Sequence, residues 1–134
     1  MIKIQKQDFN LNEEIEFLKS KNKNIGAVST FIGYVRDINN DKKVTSIDLE
    51  VYEEMALKSL REISDQAKIK WDIIDSLIIH RYGKLEINEK IVLVATSSIH
   101  RNDSINSCNY IMDYLKKDAP FWKKEFYTSN SSWL

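Results

Sequence analysis

The side chains best suited to chemistry are basic ones placed where elements end. Arg36 closes an apolar, strand-like run, and His80-Arg81 and His100-Arg101 each close another. Lys116 and Lys117 end a helical pattern, and Lys123 and Lys124 follow the chain's single proline, Pro120. Strand ends that feed loops are common places for sites, because a rigid scaffold holds them. Gathered together, such cations would grip a phosphate or carboxylate through charge-assisted hydrogen bonds and could move protons. Taken singly they have a plainer use, since lysines in a last helical turn complement the helix dipole. Idealised geometry separates them. At about 100° per residue, Ile105, Cys108, Ile111, Met112 and Leu115 form one apolar stripe. Lys116 then falls roughly a quarter turn from its middle, at the wall of a pocket beside the core, while Lys117 lies nearly opposite, in water. After Pro120, period two puts Phe121, Lys123 and Glu125 on one face and Trp122, Lys124 and Phe126 on the other. Lys123 and Glu125 can line one site together, whereas Lys124 flanks two aromatics.

The remaining reactive groups are few. Cys108 lies in the apolar stripe, where a free cysteine behaves as a small buried hydrophobe. His80 precedes Arg81-Tyr82-Gly83 and reads as structural or turn-associated; His100 leads directly into the last helix and is the better site candidate. Neither has a Ser or Cys arrangement nearby that marks a triad. Phe31 packs in a sheet or, facing a cavity, lines the pocket of a flat heterocycle. Two histidines and one cysteine are too few to expect a zinc site from this chain alone. The residues themselves therefore imply a cationic cleft for a phosphorylated or carboxylated ligand.

The elements that must position them follow from patterning. Residues 2–5 alternate as a short first strand, and Asn12-Glu13-Glu14 offers an N-cap and acidic first turn for a helix turning Ile15 and Leu18 inward. Gly26 opens a β-rich run over 27–35, residues 37–43 read as an exposed loop, and 45–52 alternates with Ile47, Leu49 and Val51 on one face. Ala56, Leu60, Ile63 and Ala67 carry a helix over 53–70. Strands at 73–81 and 90–97 flank a turn around Gly83; a helix spans 102–118 and stops before Pro120. Residues 121–127 are extended, and the tail 128–134 is polar apart from Trp133. Without a regular βαβ rhythm, this is α+β with a largely antiparallel sheet and about three helices. With 134 residues and no low-complexity linker, a single domain over 1–134 is the economical arrangement. Twenty basic and twenty acidic side chains cancel, which speaks against nucleic acid or an anionic membrane as partner. No apolar stretch is long enough to span a bilayer, and no signal peptide is evident. One cysteine fits a reducing cytoplasm.

Several segments go further in their wording. The run Gly26-Ala27-Val28-Ser29-Thr30-Phe31-Ile32-Gly33-Tyr34-Val35-Arg36-Asp37 resembles the opening signature of the molybdopterin synthase large (catalytic) subunit family. So do Leu49-Glu50-Val51-Tyr52-Glu53-Glu54-Met55-Ala56, the His80-Arg81-Tyr82-Gly83 turn and the His100-Arg101 pair. Met112-Asp113-Tyr114-Leu115-Lys116, followed by Ala119-Pro120-Phe121-Trp122-Lys123-Lys124-Glu125, is the strongest match. These blocks keep the family's order and spacing from Gly26 to Trp133.

The resemblance implies an α/β hammerhead-type fold and a cytoplasmic sulfurtransferase. A homodimer would sit at the centre of a heterotetramer, with a small ubiquitin-like subunit docked at each end. That subunit's C-terminal Gly-Gly tail, carried as a thiocarboxylate, would deliver two sulfurs to cyclic pyranopterin monophosphate and so form the dithiolene of molybdopterin. No metal, redox cofactor or cysteine of the chain's own is implied. Carried over by position, the pocket consists of Tyr34, Val35, Arg36, His100, Arg101, Lys116, Lys123, Lys124 and Glu125, with Phe31 and Met112 nearby. Lys116 and Lys123 are the expected catalytic pair, and Arg36, His100 and Arg101 the expected phosphate clamp. Family members commonly continue past the final tryptophan with a basic tail that adds an arginine. Here the sequence stops at Trp133-Leu134, so that contact is dispensable or the anion site is one cation poorer. A non-catalytic anion-binding module is the rival expectation, against which Lys116, Lys123, His100 and Arg101 stand together.

Overall fold

Two apolar runs form neighbouring strands at the centre of the fold, and both of their faces are covered. The computed structural model describes residues 1–39, 42–127 and 131–133; residues 40–41, 128–130 and 134, which include parts of the expected loop and tail, lie outside it. In chain order the elements are β1 (Ile2–Gln5), α1 (Leu11–Ser20), β2 (Ala27–Tyr34), β3 (Ile38–Asn39), β4 (Lys42–Val51) and α2 (Glu53–Lys70). Then come β5 (Ile73–Arg81), β6 (Gly83–Glu86), β7 (Lys90–Ser98), α3 (Arg101–Lys117), β8 (Phe121–Tyr127) and β9 (Ser131–Trp133). The expected mix of three helices with largely antiparallel strands is therefore what the described residues form.

The first sheet has the order β1-β5-β7-β2, in which only β1 and β5 run parallel. Alternation sends Ile78 and Val94 toward α2 and α3, where they meet Leu60, Ile63, Ala67, Cys108 and Ile111. It sends Leu77, Ile79, Leu93 and Ala95 the other way, against Phe9 and Leu18. Burial on both faces explains why these strands read as continuous apolar runs rather than alternating ones. Each large side chain so buried contributes about 1.5–3 kcal/mol.

In the second sheet β4 is central, with β6 on one side and β8 on the other, β9 beyond β8, and β3 paired to its start. Val35, Val44, Ile47, Leu49 and Leu85 form its core. Among the described residues no helix is long and apolar enough to cross a membrane.

Several boundaries differ from the patterning. The cap of α1 is Asn10, not Asn12: its side-chain oxygen accepts from the Glu13 N–H at 3.0 Å, which leaves Asn12 inside the helix. The expected loop at 37–43 contains β3 and the start of β4, paired Ile38↔Lys43. The turn at Gly83, which adopts φ +86, runs straight into β6. The polar tail includes β9. The stripe on α3 is also shifted. Ile105 is 49% exposed, and Ser104 and Ser107 are buried beside Cys108 and Ile111 instead. Close approach of the helix to the sheet is the cause. Ser104 Oγ lies 2.6 Å from Ser29 Oγ and donates to the Thr96 carbonyl at 3.0 Å, while Thr96 Oγ1 donates to the Ser104 carbonyl at 2.6 Å. A side chain the size of isoleucine has no room there.

Candidate active site

Three residues, 118–120, separate the end of α3 from the start of β8, so the last helical turn and the first strand residues stay together. Met112, Leu115 and Lys116 from that turn wall a cleft of about 440 Å³, and Phe31 and Val92 form the sheet side. His80 and the exposed Asp113 complete the lining. Phe31 reaches the cleft because its strand position, opposite Val94, faces α3. Lys117 turns to a different surface depression, beside Tyr110 and Tyr114. Periodicity thus separated the two lysines correctly.

A second, narrower notch of about 40 Å³ opens among Tyr34, Val35, Arg36, Lys123 and Glu125. Cross-strand partners share a face. Lys123 pairs with Leu49 and Glu125 with Ile47, so both side chains project toward the apolar core of the second sheet. Glu125 is only 3% exposed. Lys123 Nζ stands 3.8 Å from its Oε1, at the outer edge, and offsets part of the cost of burying that carboxylate. The notch and the cleft share no lining residue; both draw on β2, and on β8 they are linked only through Phe121, which stacks on His80. Phe121 and Lys123 on β8, two residues apart, are separated by roughly 7 Å at about 3.3 Å per residue. On the other strand Phe31 belongs to the cleft and Tyr34 to the notch.

Three expected site residues are not brought to either cavity. Lys124 lies on the opposite face of β8, its Nζ 5.2 Å from the Phe126 ring centre. His100 caps the start of α3 and Arg101 begins it, both exposed, with the His100 carbonyl accepting from Ser98 Oγ. Sixteen residues at about 1.5 Å each put His100 ~24 Å from Lys116 along the helix. One chain alone cannot unite them.

His80, which the sequence reads as structural or turn-associated, also lines the cleft. Its ring stacks on Phe121 with centroids 3.6 Å apart and planes 16° from parallel. A carbonyl only accepts, so the 2.9 Å contact between Nδ1 and the Arg81 oxygen fixes the proton on Nδ1. Burial pushes its pKa down to about 4, against a smaller opposing effect of that hydrogen bond, and the ring is uncharged at neutral pH. The missed signal was period two: His80 shares the face of Ile78, which looks toward α3. Cys108 is buried, and desolvation pushes its thiol up to about 11, so no thiolate is available for sulfur chemistry at neutral pH. No group of three His, Cys, Asp or Glu among the described residues is placed to hold a metal.

The family model described as MoaE protein matches residues 4–118. A Ralstonia nicotianae protein described as molybdopterin synthase catalytic subunit is 48% identical over 133 residues, 99% of this chain and 76% of its own length. A molybdopterin biosynthesis MoaE protein from Burkholderia ambifaria superposes with a TM-score of 0.88 at 43% identity, covering all of this chain and 88% of that one. Molybdopterin synthase from Staphylococcus aureus superposes with a TM-score of 0.91 at 34% identity, over 98% of this chain and 95% of the other.

Proposed function

This chain belongs to the MoaE family, that of the molybdopterin synthase catalytic subunits, and from that premise we propose that it is the sulfur-transferring subunit of such an enzyme. Its sulfur donor would be the thiocarboxylated C-terminal Gly-Gly tail of a small ubiquitin-like subunit, and its acceptor cyclic pyranopterin monophosphate. Two successive transfers yield molybdopterin. A name that specifies a catalytic subunit supports the existence of a second kind of subunit.

One observation carries the assignment. Phe31, Met112 and Lys116, from two separate elements, wall one cleft, and Arg36 and Lys123 stand at a second, separate notch. An extended tail entering the cleft would bring its thiocarboxylate to Lys116, which orients or activates it. Arg36 and Lys123 would meet the phosphate and the charge that grows as the cyclic phosphate opens. With ~24 Å between them and Lys116, His100 and Arg101 would serve a neighbouring copy's site. Ile99 and Ile105, exposed at 44% and 49% around that pair, supply apolar surface for such a contact.

The test is reconstitution with a thiocarboxylated small subunit and the pyranopterin precursor. Lys116→Ala should abolish dithiolene formation while the subunits still copurify. Full activity of that variant would defeat the assignment.

A further inference from the structure

The cleft beside Lys116 contains a polar group that the proposed transfer leaves without a task. His80 donates through Nδ1 to the Arg81 carbonyl, which leaves Nε2 as an acceptor, and no described residue supplies it with a donor. Stacking on Phe121 holds the ring still, so the acceptor is set before any ligand arrives. Around it the cleft offers Phe31, Val92, Met112 and Leu115, which are apolar, and Lys116, which is cationic. The other acceptor side chain, Asp113, is exposed. A ligand matching this lining carries an anionic group for Lys116 and a neighbouring N–H for His80, with little else that is polar. A free phosphate or simple carboxylate has no N–H to give; the last peptide unit of a polypeptide C-terminus has both.

We propose that His80 is a specificity-determining residue of the cleft, accepting through Nε2 the last backbone N–H of a peptide C-terminus whose terminal anion faces Lys116. This rests on the Proposed function for the tail's presence, and adds what recognises it. Because the ring is neutral at working pH, Nε2 accepts and does not donate. A tail lacking the N–H would strand a desolvated acceptor, which is the condition under which hydrogen bonding discriminates most strongly.

The probe is an intact ubiquitin-like protein ending in Gly-Gly, prepared with its last linkage either as the amide or as the ester. Dissociation constants are measured against the unaltered chain, His80→Phe and His80→Gln, each checked for fold by circular dichroism. The unaltered chain should prefer the amide by about tenfold. His80→Phe, which keeps a flat ring against Phe121, should bring the ratio to near one, and His80→Gln, with its carbonyl acceptor, should restore part of it. Equal amide-to-ester ratios in the unaltered chain and His80→Phe would overturn the proposal, as would a changed affinity for the pterin precursor alone. Should His80→Phe not fold, a ratio near one in the unaltered chain overturns it equally. If the unaltered chain binds neither tail, the Proposed function itself falls, and this with it.

Discussion

Acidification should unfold this protein partly through one ring. His80 has a folded-state pKa of about 4 against an ordinary value of 6.5, with burial as the main cause. In the unfolded chain the imidazole is solvated and takes a proton as pH falls through 6.5; in the folded chain it does not until about 4. Across that window the unfolded state binds more protons, so stability is complete above 6.5 and declines as pH falls, levelling below 4. The interval is roughly 2.5 pH units, and at about 1.4 kcal/mol per unit the full loss is about 3 kcal/mol. By pH 5 about 2 kcal/mol of it should be gone. That is a large part of a typical domain's stability of about 5–15 kcal/mol. Carboxylates also titrate toward the acid end, so a comparison is needed to isolate the histidine. Urea unfolding of the unaltered chain and of His80→Gln, followed from about pH 7.5 to 4.5, supplies it, with m-values checked for constancy. The variant loses the stacked ring and will be weaker at neutral pH, but by an offset that does not titrate. The stability difference between the two should therefore shrink by about 2 kcal/mol on going to pH 5. A difference that stays constant within about 0.5 kcal/mol would mean that His80 titrates alike in both states, and the neutral acceptor in the cleft would be lost with it.

Other predictions concern packing, the thiol and the assembly. A Cβ on Gly26 would press into the Ile99 backbone carbonyl, and Gly26 N–H already bonds the Ser98 carbonyl, so neither strand can yield cheaply. Gly26→Ala should cost about 3 kcal/mol in urea unfolding; a loss below about 0.5 kcal/mol would show that the strands adjust freely. Cys108, buried and pushed up to about 11 from 9.0, should label with a disulfide reagent at least about a hundredfold more slowly folded than unfolded. Comparable rates would contradict its burial. Mixing inactive Lys116→Ala chains with inactive His100→Ala/Arg101→Ala chains should restore about a quarter of normal activity, because half the dimers would be mixed and each would regain one of its two sites. No recovery after verified subunit exchange would confine the site to one chain.

The parts of the site that were legible in the sequence are those fixed by rigid local periods. Lys116 and Lys117 differ by one helical step, and Lys123 and Lys124 by one strand step, so their faces followed without tertiary information. What hydropathy alone could not show was Ser104 and Ser107 in the core. Serine is buried there because a helix seated close to the sheet needs small side chains, and their hydroxyls find backbone carbonyls. The short strands β3, β6 and β9 have too few residues to establish an alternation, and each exists through its pairing with β4 or β8. That His80 lines the cleft was illegible for a different reason. Its alternation with Ile78 runs directly into the Arg81-Tyr82-Gly83 turn, and only the return of β8 brings Phe121 over its ring.

The two ends of α3 suggest how a chain of zero net charge would assemble the proposed cationic site. A helix carries partial positive charge at its first turn and partial negative charge at its last. Its start, bearing His100 and Arg101, suits an anionic ligand, since free backbone N–H groups point the same way. Its end tolerates Lys116 and Lys117 together because the terminal carbonyls offset their repulsion. The same 17 residues that keep these groups apart within one chain make both ends available to a two-fold partner. In an isologous pair, the start of one helix set against the end of the other forms two identical sites at once. Each would combine the anion-binding end of one copy with the Lys116 cleft of the other, so cations too few in either chain alone would converge on one phosphate without altering the balance of the whole.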